Sequence, residues 1–203
     1  MNLAPQLQTV LAMFRLKNRQ SRGFTLVETM AVVIIIGVLA ALAVYGVRRY
    51  VLTAKSTEAR QMLLSIKAAE EAYRDETYVY RNASEQGFAS AASMYPQICV
   101  DGQAPARRKY AWEQPDCASG AAWRELGVTT TNPVQYGYAA AAVASGGQMP
   151  TQGIGSYSWG SAAKPTAPAF AVIARGDLNG NGTLSLFLSS NLTDEIYVEN
   201  EDE

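Results

Sequence analysis

Three oxygen-bearing side chains stand at alternate positions in one short glycine-rich segment. Residues 177–182, DLNGNG, have the D-x-N-x-N-G opening of a calcium-binding loop, with Asp177, Asn179 and Asn181 as the candidate metal ligands. The bidentate acid at the twelfth position of an EF-hand loop is replaced here by Leu188, so only one of these ligands is charged. The competing interpretation is a hairpin turn whose Gly and Asn residues tolerate positive φ. We favour the turn and keep calcium as the one candidate cofactor.

Histidine is absent from the 203-residue chain. Its absence excludes Ser-His-Asp and Cys-His catalysis, histidine general bases and zinc sites built on imidazole. The sequence also shows no phosphate loop, paired-cysteine metal motif or nucleophile elbow. A formal net charge of -1 gives no electrostatic reason to expect nucleic acid as a partner. We therefore predict that the chain is not an enzyme and does not bind nucleic acid.

The chain has two cysteines, Cys99 and Cys117, in its polar half. If that half lies outside the cytoplasm, we expect the two thiols to form a disulfide. Closing a loop of this size contributes about 3 kcal/mol in the chain-entropy description. The alternative is a pair of unbonded thiols.

An apolar segment near the N-terminus is long enough to cross a membrane. From Thr29 to Val47, 19 residues carry no charge, and a rise of about 1.5 Å per residue brings such a helix close to the ~30 Å hydrocarbon thickness. Residues 1–23 hold four basic residues and no acid, so the positive-inside rule places the N-terminus in the cytoplasm and the rest of the chain outside. Arg48 and Arg49 follow the run and weaken this contrast.

Three interpretations of the segment compete. A secretory signal peptide would use the A-x-A-like site at residues 41–43, but the apolar run exceeds the usual length of about 7–15 residues. A plain single-span anchor explains the length but leaves Glu28 without a purpose, although a charge in apolar surroundings is costly. The third interpretation makes Glu28 functional, because intramembrane ionisable groups mark functional sites when a partner can be named.

Residues 23–44, GFTLVETMAVVIIIGVLAALAV, resemble the N-terminal segment of type IV pilins and type II secretion pseudopilins. The resemblance implies that a prepilin peptidase cleaves after Gly23 and that Phe24 becomes the N-methylated first residue. It also implies that Glu28 lies against the α-amino group of a neighbouring subunit during assembly. Cleavage would thus create the cation that a carboxylate in apolar surroundings requires. One departure is Tyr45, where many members of the family have a proline.

Helical periodicity continues beyond the apolar run. Apolar residues recur at steps of three to four positions through residue 73, and residues 24–95 contain no proline. The pattern predicts one helix from about Thr25 to about Glu76, apolar all round in its first half and amphipathic in its second. Short helices are predicted at residues 87–95 and 121–126. The acidic C-terminal residues 199–203 are expected to be solvated.

The C-terminal half carries β-prone runs at residues 134–143, 169–175, 183–189 and 195–199. The sequence therefore predicts an α+β fold in which the long N-terminal helix packs on an antiparallel sheet of three to four strands. The resemblance implies the same arrangement, the pilin fold. The expected organisation is a removable leader at 1–23, a membrane and assembly helix at 24–50, its amphipathic continuation at 51–76, and a globular head with the disulfide loop at 77–203.

The functional expectation follows from the resemblance. It implies a structural subunit of a type IV pilus-like filament, made in the bacterial inner membrane and polymerised through its N-terminal helix into an extracellular pilus. Other pilin subunits, prepilin peptidase and the inner-membrane assembly machinery are the implied partners. The first alternative is a secretion pseudopilin that forms a periplasmic pseudopilus. A more distant alternative is a membrane-anchored extracytoplasmic binding domain.

Overall fold

A computed structural model describes residues 23–84, 87–90, 94–104 and 107–201 of the chain. The chain divides into two compact units, residues 1–45 and 46–203. Its regular elements are α1 (Leu26–Thr77), α2 (Ala118–Glu125), β1 (Gly137–Val143), β2 (Ala169–Gly176), β3 (Ser185–Ser190) and β4 (Thr193–Glu199), with 3₁₀ turns at Gln97–Cys99 and Gly160–Ala163. The single long helix is confirmed to within one residue at each end. The predicted leader lies outside the described residues except for Gly23.

The four strands form one antiparallel sheet in the order β1-β2-β3-β4. The prediction of an α+β fold is therefore confirmed. The sheet has four strands, the upper end of the three to four that were expected. The strand predicted from Val134 begins only at Gly137, because Val134 pairs instead with Tyr110 in an isolated bridge. The segment DLNGNG joins β2 to β3, whose last pair is Gly176 with Ser185, so the hairpin prediction is also confirmed.

Both faces of the sheet are buried. One face packs on the amphipathic half of α1, whose core residues Ala59, Leu63 and Ile66 are fully buried. The opposite face is covered by the long connection between β1 and β2, which contributes the buried residues Met149 and Ile154. Because both faces of the sheet are covered, β1 contains a run of alanines and does not alternate between apolar and polar residues.

Polar contacts also join α1 to the head. The Glu58 carboxylate accepts a hydrogen bond from the Gln135 backbone N–H at 2.7 Å. The Glu201 carboxylate accepts from the Ser56 hydroxyl at 3.0 Å and from the Arg60 guanidinium at 2.8 Å. The hydrogen bond from Arg60 is the largest cause that lowers the pKa of Glu201. The Glu201 side chain is 39% exposed, so the prediction that the acidic C-terminal residues are solvated is not contradicted there, although α1 also supplies Glu201 with a cation.

Glu70 is the most deeply buried acid of α1, with no exposed surface. One oxygen accepts a hydrogen bond from the Arg81 backbone N–H at 2.9 Å, and the other has no partner in the described part of the chain. Burial raises the pKa of Glu70 to about 7. The Arg81 guanidinium in turn lies 2.7 Å from Glu125 of α2, so this arginine links the helix end to α2.

The two predicted short helices have different outcomes. The second is confirmed as α2, which begins at Ala118, three residues earlier than predicted, and ends at Glu125. The first is not observed: among the described residues of 87–95, positions 87–90 and 94–95 form turns, a bend and a bridge, with no helix. In this segment the Tyr95 backbone N–H donates to the Tyr138 carbonyl at 2.9 Å, so the chain runs beside β1 instead of coiling.

Replacing the buried acid of α1 should change how stability depends on pH. Between 4.5 and about 7 the folded chain keeps a proton on Glu70 that the unfolded chain releases. Stability should therefore decline as pH rises through this window, by at most about 3 kcal/mol, and level off above it. Glu70→Gln keeps the acceptor for Arg81 and should lose most of this decline, the remainder coming from Glu58, whose pKa burial also raises. Urea unfolding of the full-length chain in detergent at several pH values measures it.

Glu195→Gln serves as the matched control, because Glu195 is an exposed acid of β4. That variant should retain the decline of stability with pH seen in the wild type. An equal slope in the wild type and in Glu70→Gln would contradict the assignment.

Candidate functional site

The residues of the predicted processing site lie just ahead of α1. Gly23 and Phe24 precede the first helical residue, Leu26, and the Phe24 side chain is 78% exposed. A peptide bond between two accessible, non-helical residues can enter a protease cleft without unfolding the helix. The cleavage and methylation roles assigned to Gly23 and Phe24 stay predictions that this geometry permits.

Glu28 takes part in the N-terminal cap of α1. The Thr25 hydroxyl accepts a hydrogen bond from the Glu28 backbone N–H at 3.2 Å, and a Glu28 carboxylate oxygen lies 3.5 Å from the Thr25 backbone N–H. This reciprocal pair is a capping box, in which both residues satisfy donors that the first helical turn leaves open. The T-x-x-E spacing of residues 25–28 carries this signal, and our sequence analysis did not use it.

The apolar part of α1 is not covered by any other residue that the structure describes. Every residue from Gly23 to Val51 is exposed, including the large aliphatic residues of the run. By length and composition, α1 is a helix that could cross a membrane, and its most apolar window is 0% buried. Exposed apolar surface of this extent requires lipid or other protein chains around it.

No described residue gives a steric reason for the glycines in this part of α1. A Cβ atom added at Gly37 or Gly46 would meet nothing within 4 Å. Glycine within a helix costs about 1 kcal/mol relative to alanine. Any benefit that offsets this cost must therefore come from outside the isolated chain, where a missing side chain lets another surface approach closely.

The predicted disulfide is present. Cys99 and Cys117 are bonded, with their Cα atoms 5.5 Å apart. The bond joins the 3₁₀ turn Gln97–Cys99 to the residue that caps the N-terminus of α2. Because disulfides persist in oxidising compartments, this bond favours a head that lies outside the cytoplasm.

The basic residues inside the disulfide loop make contacts within the head. The Arg108 guanidinium lies 2.9 Å from the Asp101 carboxylate and over the Tyr110 ring. Arg107 lies beside Gly180, where an added Cβ would come within 2.7 Å of the arginine side chain. These contacts within the head favour a surface loop over a binding patch for residues 107–109.

The candidate calcium ligands lie together, but they are turned toward backbone donors. One Asp177 oxygen accepts from the N–H groups of Gly180 at 2.6 Å and Asn181 at 3.2 Å, and the other accepts from Gly182 at 2.9 Å. The Asn179 side chain accepts from the Asn181 backbone N–H at 2.8 Å. This arrangement fits a self-contained turn and does not fit a cation site as it stands. Calcium binding stays an untested prediction.

Within residues 23–84, 87–90, 94–104 and 107–201, no group of three or more His, Cys, Asp or Glu side chains is placed to hold a metal ion. The N-terminal segment around Glu28 therefore remains the candidate functional site.

Known proteins share this N-terminal segment. The prokaryotic N-terminal methylation motif matches residues 18–44. The type IV major pilin protein PilA of Myxococcus xanthus is 40% identical over 73 residues, which cover 36% of this chain and 33% of that protein. The type II secretion system core protein G of Pseudomonas aeruginosa is 39% identical over 70 residues, covering 34% of this chain and 49% of that protein.

The chain therefore spans between a third and a half of the length of these curated relatives. No solved structure matches it significantly. The resemblance drawn from residues 23–44 is confirmed, since the methylation motif matches residues 18–44.

Removing the Asp177 carboxylate should destabilise the β2–β3 hairpin. Asp177→Ala leaves the backbone N–H groups of Gly180 and Gly182 without their acceptor, whereas that of Asn181 keeps the Asn179 side chain, and we expect a loss of about 2 kcal/mol. Asn179→Ala removes one such acceptor and should cost less. Thermal unfolding in the presence of a chelator measures both variants, and an Asp177→Ala protein as stable as the wild type would contradict the turn. A rise of the wild-type midpoint on adding calcium, absent from Asp177→Ala, would instead support the cation site.

Proposed function

We propose that this chain, whose N-terminal segment carries the prokaryotic methylation motif, is a structural subunit of a type IV pilus-like filament. The observation that carries the proposal is a carboxylate, Glu28, at the start of a fully exposed apolar helix inside the matched motif. A helix of this kind can span a membrane before assembly and can then pack among copies of itself. The proposed role is structural and not enzymatic.

The first step in the proposed pathway is hydrolysis of the peptide bond between Gly23 and Phe24 by prepilin peptidase. Water adds across this bond, which leaves a carboxylate on Gly23 and a free amine on Phe24. A sulfonium methyl donor then transfers its methyl group to that amine, leaving as a thioether while the amine releases one proton. The methylated amine stays a cation at neutral pH, as an α-amino group does. Each processed subunit thus carries both a cation and, four residues later, an anion.

The second step pairs these charges between subunits. The Glu28 oxygen nearest the Thr25 N–H lies at 3.5 Å, a long contact that leaves the carboxylate able to accept stronger hydrogen bonds. In apolar surroundings the pair is attractive only if both charges are brought together, because an unpartnered buried charge is strongly unfavourable. The pairing therefore sets the register of one helix against the next more than it adds net stability.

The hydrophobic effect alone does not select the filament over the membrane. Lipid tails are as apolar as the side chains of α1, so moving the helix from a bilayer into a bundle of like helices gains little from burial. Close helix packing, for which Gly37 leaves room, and the charge pairing of Glu28 are the terms that differ between the two states. A repeated, head-to-tail contact of this kind propagates as an open filament.

A secretion pseudopilin is the second candidate function. The observation that favours it is the match to the type II secretion system core protein G, of which this chain covers a larger share than of the pilin, 49% against 33%. Both candidates share the membrane-anchored precursor, the processing and the helix-mediated polymer. Filaments on the cell surface that contain this chain support the pilus, whereas loss of protein export on its deletion supports the pseudopilus.

Processing should produce a mature chain that begins at N-methylated Phe24. Mass spectrometry of the N-terminal peptide, taken from protein isolated from its own cells, checks this directly. Val44 as first residue would indicate a conventional signal peptide, and an intact N-terminus at Met1 would indicate a simple anchor. Either of these results would contradict the proposed pathway.

Two substitutions should separate the charge of Glu28 from its part in the helix cap. Glu28→Gln keeps a capping side chain but removes the negative charge, so we expect normal membrane insertion and a loss of filament incorporation of at least about tenfold. Thr25→Ala removes the capping hydroxyl and keeps the charge, at a cost of about 1 kcal/mol in helix stability. Incorporation is measured by immunoblot of sheared filaments beside wild-type chain. Normal incorporation of Glu28→Gln would contradict the charge-pairing role.

A further inference from the structure

We propose that Arg48 and Tyr50, with the charge of Arg49 beside them, anchor α1 to anionic phospholipid headgroups at the outer end of the apolar run. The proposal rests on the membrane-anchored precursor of the proposed function and adds a lipid partner that the function itself does not require. It concerns the state of the chain before assembly.

The position of these residues follows from the length of the run. The uncharged stretch ends at Val47, and its 19 residues occupy roughly the thickness of a bilayer's hydrocarbon layer. The first residues beyond it therefore fall at the level of the lipid phosphates. Arg48, Arg49 and Tyr50 are all exposed along α1, so their side chains can reach that level.

The charge pattern selects the anionic class of lipid. Between Thr29 and Thr57 the sequence contains no acid, whereas it contains Arg48, Arg49 and Lys55. The first acid beyond this stretch, Glu58, accepts a hydrogen bond from Gln135 in the head. A basic stretch with no acid of its own, placed at a membrane surface, attracts negatively charged headgroups. Arg49 has a further interaction within the chain, so Arg48 is the residue on which the proposal depends.

Tyr50 adds the second feature of an interfacial anchor. Its side chain is 75% exposed, although it is aromatic. A tyrosine at the end of a membrane-spanning helix places its ring among the upper acyl carbons and its hydroxyl among the headgroups. Because residues two positions apart lie on different faces of a helix, Arg48 and Tyr50 would contact headgroups on different sides of α1, the arginine through a phosphate and the tyrosine through the glycerol region.

This anchor also accounts for cations on the side of the membrane that the positive-inside rule disfavours. Two arginines after the run oppose the orientation that the basic residues before it favour. Binding to anionic lipid would explain why cations occur at this end of the run. Holding the anionic lipid keeps the precursor at a fixed depth in the membrane. When the chain leaves the membrane for a filament, these cations would lose the lipid phosphates. They would then have to pair with carboxylates of other subunits.

Native mass spectrometry of the full-length chain in detergent tests the proposal with phosphatidylglycerol and phosphatidylcholine of equal chain length as probes. The wild type should retain phosphatidylglycerol over phosphatidylcholine. Arg48→Gln should reduce that preference by about fivefold, and Arg48→Gln with Arg49→Gln should reduce it further. Lys164→Gln, which removes an exposed cation of the head, should leave it unchanged. Inorganic phosphate added as a third probe should not displace the lipid.

Equal lipid preference in the wild type and in Arg48→Gln would overturn the proposal, and so would displacement of the lipid by inorganic phosphate at equal concentration. Near-UV circular dichroism of each variant verifies that the head is folded. The N-terminal mass and filament incorporation, recorded on the same variants in cells, report on the proposed function separately. Normal processing and incorporation without lipid preference would reject the anchor alone, and lipid preference in a chain that is never processed would reject the filament alone.

Discussion

The rest of the structure depends on one requirement of α1: the largely apolar first half of this helix packs against no other part of the chain that the structure describes. The exposed stretch from Gly23 to Val51 cannot remain in water, and lipid and like helices are two environments that can accept it. Since these environments are similar in polarity, the choice between them falls to the few polar groups on the helix. Glu28 at one end and the arginines at the other are such groups, and both functional proposals concern them.

The second half of α1 has the opposite requirement. In the proposed function the first half moves from lipid into a filament, and the second half must stay attached to the head. Apolar packing of Leu63 and Ile66 on the sheet supplies most of this attachment, and it has no preferred register by itself. Polar contacts fix the position of α1 on the head. Glu58 accepts a hydrogen bond from the Gln135 backbone N–H, and Glu201 accepts one from the Arg60 guanidinium. Glu70 is the exception, since it is buried with one oxygen unpartnered and lacks a neutralising cation of its own.

Sequence patterns were sufficient to locate a helix or strand wherever the apolar residues followed a single periodicity. The three- to four-residue step fixed α1 to within one residue, and β-prone runs located all four strands. Local patterns failed where distant residues decide the outcome. Val134 alternates like a strand residue, yet Tyr110 takes its backbone hydrogen bonds, and the segment after residue 87 lies beside Tyr138 instead of forming a helix. The cap formed by Thr25 was readable from spacing alone, whereas the contact between Glu201 and Arg60, 141 positions apart, was not.

The docking of Glu201 on α1 has a practical consequence for labelling this protein. A fluorescent domain or epitope fused after Glu203 would begin two residues beyond a point that is fastened to Ser56 and Arg60, and its bulk would sit close to the helix. The exposed turn at residues 144–146, which follows β1, is an alternative attachment point, provided that the hydrogen bond from the Ser145 hydroxyl to the Thr166 carbonyl is kept.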